Sequence, residues 1–194
     1  MVRSHIGNVV CRKALCVRVA SSPPRRRRRR LFRCLFFILL SKSGLKGMPR
    51  KIEAELTTMC MVTSGSKVLV QNRQGHGWPG IAFPGGHLEN EESITDSVIR
   101  EVREETGLTI SSPRLCGIKD WYSEQGFRYI VFLYRAEEFS GELKASEEGE
   151  VFWAERNDLP GMNLCSGMEE TFQVFFDDAL SELYYEDNDS YQIF

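Results

Sequence analysis

Residues 86–108 read GHLENEESITDSVIREVREETGL. The fixed points are Gly86, Glu92, Arg100, Glu101, Val102, Glu104, Glu105, Gly107 and Leu108. A glycine loop leads into a segment with helical periodicity, and Gly107 is placed to end it in a left-handed conformation. The spacing predicts a helix from about Ser93 to Thr106. On it Glu101, Glu104 and Glu105 stand at i, i+3 and i+4, on one face. Like charges so spaced each cost about 0.2–0.5 kcal/mol. They lie in the C-terminal half, where negative charge also opposes the helix dipole. Glu105 falls in the stripe of Ile94, Val98 and Val102, which should face the core, and a buried carboxylate needs a partner. Bound divalent cations answer both problems, and hard oxygen ligands favour Mg²⁺ or Mn²⁺. A solvated acidic face balanced by Arg100 and Arg103 is the plainer reading of a generic string. The whole spaced pattern arises by chance on the order of once in 10⁹ starting points, which displaces it.

The charge is split along the chain. Residues 1–47 hold 13 Lys and Arg and no Asp or Glu. The remainder holds 12 Lys and Arg against 27 Asp and Glu, so 12 − 27 gives −15. An acidic domain that handles phosphate needs a locally basic site or bound cations. The basic extension, 1–47, contains Arg25 to Arg30 and an apolar run, Leu31 to Leu40, broken by Arg33. It fits a signal or transit peptide, or a binder of nucleic acid or anionic lipid. The plainer reading is a segment that is disordered or not part of the natural product, with Met48 as the start. Its apolar run is shorter than the roughly 20 residues a membrane helix needs. Cys60, Cys116 and Cys165 are far apart with no CxxC pair, so free thiols and a reducing compartment, the cytoplasm, are expected.

From Met48 to Phe194 one domain is expected. Strands are predicted at Glu55–Val62 and Lys67–Arg73 around Ser64-Gly65-Ser66, at Ile81–Phe83, at Leu115–Trp121 and Phe127–Glu137, and at Glu150–Glu155. A second helix fits Ser166 to Leu183, and the residues from Tyr184 read as a frayed acidic tail. This order is α+β, most easily drawn as a mixed sheet between helices.

The pattern at 86–108 resembles the Nudix box, and every defining position is matched. Phe83-Pro84-Gly85-Gly86 and Glu148-Gly149-Glu150-Val151-Phe152-Trp153 extend the resemblance over roughly Glu55 to Leu183, closest to MutT-like 8-oxo-dGTP diphosphatases. The resemblance implies an α/β/α sandwich with a central mixed sheet. It implies Mg²⁺-dependent hydrolysis of an oxidised purine nucleoside triphosphate to monophosphate and pyrophosphate, in nucleotide-pool sanitation. By position, the metal ligands would be Glu101, Glu104 and Glu105, the Gly85 carbonyl, and a distal-loop acid, Glu148 before Glu147 or Glu150. In some members of the family the residue at the position of Glu101 is also the general base. Arg100 would orient the catalytic carboxylate, with Glu92 as its ion-pair partner. Gly86 and Gly107 would serve the backbone.

Asp158-Leu159-Pro160-Gly161-Met162-Asn163 resembles a MutT segment whose asparagine reads the oxidised purine. Asn163 is therefore the candidate base reader, since an amide both donates and accepts. A turn or cap role is its alternative. Phe83, with Trp78, Trp121 and Tyr129, could form a stacking wall, or pack the core. His76 and His87 flank the glycine loop and could touch phosphate, or lie exposed. The expected partner is a small nucleotide, with no stable nucleic-acid complex and no membrane. The alternatives are a hydrolase of ADP-ribose or a dinucleoside polyphosphate, and a non-catalytic nucleotide-binding module.

Overall fold

The computed structural model describes residues 51–74, 77–146, 149–187 and 190–194. The basic extension, His76, Glu147 and Glu148 lie outside the described residues.

The sheet is built around β1 (Ala54–Ser64), whose alternating side chains divide between two cores. Met59 and Met61 join the cluster of Phe172 and Phe175, whereas Cys60 and Val62 join that of Val98 and Val102. That period of two puts a helix on each face of the sheet. The layers are therefore α/β/α, as expected.

β1 meets β2 (Lys67–Arg73) only at the turn, through Thr63–Val68 and Ser64–Lys67. The two strands then part. β2 pairs with β3 (Gly80–Ala82) and, along its whole length, with β8 (Gly149–Glu155). β1 runs parallel to β6 (Arg128–Ala136), which pairs with β5 (Arg114–Tyr122). The edge of β1 left open by the parting is taken by the glycine loop. Thr58 and Cys60 N–H donate to the Gly86 and Pro84 carbonyls at 2.8 Å, and Leu88 N–H to Leu56 at 3.0 Å. A buried strand edge must be satisfied in this way, and the same bonds lay the loop across the sheet.

α1 (Ile94–Thr106) starts where the sequence placed it. The Ser93 hydroxyl accepts the Asp96 N–H at 3.0 Å. Gly107, at φ 76°, caps its far end by donating to the Arg103 carbonyl at 2.9 Å. β4 (Leu108–Ser111) then pairs with β7 (Glu138–Gly141) in a two-stranded sheet that the sequence reading did not foresee.

The C-terminus differs from expectation. A single 3₁₀ turn, Arg156–Gly161, precedes α2 (Met168–Phe176), which is about half the predicted length. The tail is not frayed: β9 (Glu182–Tyr185) pairs parallel to β5, and β10 (Tyr191–Ile193) antiparallel to β9. Apolar spacing runs on past Phe176, but Leu183 is fully buried as a strand residue beside Lys119. Sheet pairing here outweighs helical periodicity. Among the described residues no helix is long and apolar enough to cross a membrane.

Candidate active site

Arg100 is the hub of the α1 face. It donates to Glu92 through two nitrogens, at 2.8 and 3.1 Å. Its Nη1 also reaches Glu101 Oε1 at 2.8 Å and Glu104 Oε2 at 3.1 Å. Nη2 further donates to the His87 carbonyl at 3.0 Å, tying the helix to the glycine loop. This bidentate fork is what a guanidinium provides and an ammonium does not. The Arg100 hydrogen bonds, with one from the Glu89 N–H, hold the Glu92 carboxyl down at about 2. Those carboxylates hold the Arg100 guanidinium firmly charged.

Glu105 is buried at 3% exposure, as its place in the apolar stripe requires. Its partners come from the protein. Oε2 accepts the Gly85 N–H at 2.7 Å, and Oε1 lies 3.5 Å from Arg73 Nη1 on β2. Sequence reading assigned the balancing of this charge to cations and missed Arg73. The available signal was a cation ending a β-prone run just ahead of the glycine loop.

The two loop glycines are needed because other groups come close. A side chain at Gly85 would start 2.1 Å from the Thr58 carbonyl. One at Gly86 would start 2.5 Å from a Glu101 carboxylate oxygen. Gly86 thus reserves space for Glu101.

Among the described residues, no three His, Cys, Asp or Glu side chains converge as a metal cluster. The donor chemistry nevertheless fits a hard divalent cation. Glu101 stands against the loop at the cavity wall, and Glu104 is half-exposed on the same helix face. Gly149 pairs with Arg73, whose guanidinium forms the ion pair with Glu105. Glu150 is exposed on β8.

A cavity of about 770 Å³ runs from Glu101, Gly85 and Gly86 to Trp78, Trp121 and Tyr129. Trp121 and Tyr129 stack at 4.4 Å, and Trp78 is fixed by donating to the Ser166 carbonyl at 2.8 Å. His87 lies on the rim, 2.6 Å from Glu55. Phe83 lines the same cavity but is 2% exposed, with the Phe172 and Phe175 rings packed on it. Asn163 is exposed and is not among the lining residues; its carbonyl accepts the Ile81 N–H at 2.8 Å. Lys119, Glu170 and Tyr185, which sequence reading passed over, line the cavity instead. Lys119 shares the strand parity of Gly117 and Trp121, which was the one signal available for it.

The NUDIX domain model matches residues 54–175, 122 of the 194 residues. The chain belongs to the Nudix family. It is 35% identical over 115 residues to an uncharacterized Nudix hydrolase, YvcI, of Bacillus subtilis, covering 57% of this chain and 72% of that one. It is 26% identical over 125 residues to an ADP-ribose pyrophosphatase of Methanocaldococcus jannaschii, covering 63% and 74%. Among solved structures it is similar to a MutT protein from Bacillus halodurans, with TM-score 0.61 and 30% identity, covering 72% of this chain and 97% of that one. As a Nudix hydrolase it acts on pyrophosphate bonds of small-molecule nucleotide substrates. Nudix enzymes generally use divalent metals.

Proposed function

We propose that this Nudix hydrolase cuts purine nucleoside triphosphates, oxidised ones such as 8-oxo-dGTP among them, to nucleoside monophosphate and pyrophosphate. The observation that carries this reading is one cavity joining the Glu101 end to an aromatic slot. A polyphosphate chain suits the first and a purine ring the second. The MutT likeness supports it further.

In this reading water adds to a phosphorus of the chain, a phosphoanhydride P–O bond breaks, and pyrophosphate leaves. The Glu101 carboxylate accepts the proton of the attacking water, with its Oε1 held by Arg100. Arg100 is a positioning residue. It sets the Glu101 and Glu104 carboxylates and is itself braced by Glu92. Glu105 pins the Gly85 loop and so keeps the phosphate end open. Glu101, Glu104 and Glu105, with the Gly85 carbonyl and Glu148, would hold Mg²⁺, or Mn²⁺. The cation supplies positive charge against the polyphosphate and acidifies the attacking water.

A second reading, hydrolysis of ADP-ribose, draws on the similarity to the archaeal pyrophosphatase. A panel of 8-oxo-dGTP, dGTP, dATP and ADP-ribose with Mg²⁺, scored for pyrophosphate, orthophosphate and AMP, separates the two. Pyrophosphate from the guanine nucleotides is expected. Orthophosphate alone from triphosphates contradicts the proposal.

A further inference from the structure

The cavity end away from α1 holds a cation that the hydrolysis does not use. Lys119, on β5, is 7% exposed. Its ammonium donates to the Gly167 carbonyl at 3.3 Å. The Trp78, Trp121 and Tyr185 ring centroids lie 5.9, 5.9 and 5.3 Å away. An ammonium has three donors, so the single carbonyl leaves hydrogen-bonding capacity on a side chain that lines the cavity. Burial pushes the Lys119 amine down to about 8, and the nearby Glu170 carboxylate partly offsets this. A buried charge with so few partners is costly to the fold.

Glu170, in the first turn of α2, lines the same cavity. It is close enough to act on both Lys119 and the Tyr185 phenol. Among the described residues, however, Lys119 and Glu170 form no salt bridge. The backbone closes on this spot at Gly167, where an added side chain would start 2.7 Å from the Lys119 nitrogen and 2.8 Å from the Tyr185 hydroxyl. A donor and an acceptor therefore line one cavity without pairing to each other, beside rings fit to stack on a base.

We propose that Lys119 and Glu170 read the edge of the substrate's base and select a 6-oxopurine, a ring bearing a keto oxygen beside a ring N–H. This rests on the nucleotide reading above. The Lys119 ammonium donates to the keto oxygen, and the Glu170 carboxylate accepts from the neighbouring N–H. Guanine offers that pair at its O6 and N1–H, and 8-oxoguanine offers a second at O6 and N7–H. Adenine reverses it, placing an amino donor where Lys119 needs an acceptor. A mismatched polar pair in a buried site discriminates far more strongly than a lost apolar contact.

The test is a titration of the full chain with dGMP, 8-oxo-dGMP and dAMP, read by tryptophan fluorescence, in wild type, Lys119→Met and Glu170→Met. Mononucleotides need no hydrolysis, so the result does not depend on which bond is cut. Wild type should bind dGMP and 8-oxo-dGMP at least tenfold more tightly than dAMP. Each variant should bring the ratio to within about threefold of unity, with circular dichroism unchanged. Equal binding of all three by wild type overturns the proposal, as does an unchanged ratio in a folded Glu170→Met. Full guanine selectivity lost in both variants, but with no pyrophosphate released from any triphosphate, sinks the triphosphate reading alone.

Discussion

The two ends of the cavity treat charge in opposite ways. At the α1 end four carboxylates have partners in the protein: Arg100 for Glu92, Glu101 and Glu104, and Arg73 with the Gly85 N–H for Glu105. At the far end a buried ammonium has one carbonyl and three aromatic faces. The acidic end is braced before any ligand arrives, and its geometry is set by the chain. The basic end is under-satisfied, and a ligand that completed its hydrogen bonds would gain there. Preorganisation marks the place where chemistry is done, and unmet polar capacity marks the place where substrates are told apart.

The largest effects should come from breaking the braced end. Glu104→Gln and Glu105→Gln are each expected to lower kcat by about 10²–10⁴, in protein that still folds by circular dichroism. Near-normal turnover in either would remove the acidic face from the mechanism. Arg100→Lys keeps the charge but loses the fork to Glu92. A fall in kcat of about tenfold or more, with KM little changed, is expected from steady-state kinetics. An unchanged kcat would mean that Glu101 needs no positioning.

The under-satisfied end should respond with the opposite sign in stability. Lys119 has a folded pKa of about 8, against 10.5 for a free lysine. The groups facing it are Glu170, Cys165 and Tyr185. Between those pH values the unfolded chain binds more protons, so wild-type stability should rise as pH climbs through the window. Lys119→Met should lack that rise and be more stable at pH 7, by up to about 3 kcal/mol in urea unfolding. A loss of stability would make Lys119 a structural residue. The smallest effect is at acid pH. The Glu92 carboxyl is held at about 2 instead of 4.5, so its stabilisation is complete above 4.5 and lost as pH falls toward 2. Glu92→Gln should remove that limb from the acid-unfolding curve, and an identical curve would contradict the Arg100–Glu92 brace.

The braced end was legible in the sequence because one helix carries it. Spacing alone puts Glu101, Glu104 and Glu105 on one face, and the apolar stripe buries Glu105. Arg73 was not legible, because it reaches Glu105 only through the parting of β1 from β2. The other end is assembled from β5, the segment at Trp78, α2 and β9. No local pattern joins Lys119 to Glu170 and Tyr185, and the helix expected to run to Leu183 concealed the strand that brings Tyr185 in. Motif likeness points to Asn163, yet its carbonyl pairs with the Ile81 N–H and the residue is not among those lining the cavity.

The most direct measurement is the product formed from 8-oxo-dGTP, dGTP and dATP with Mg²⁺ by wild type and Lys119→Met. Pyrophosphate should be released, with kcat/KM favouring the guanine nucleotides in wild type. In Lys119→Met that preference should collapse through KM while kcat stays within about twofold. Orthophosphate as the sole inorganic product, or a base preference untouched by Lys119→Met, would contradict the division of the cavity into a cutting end and a reading end.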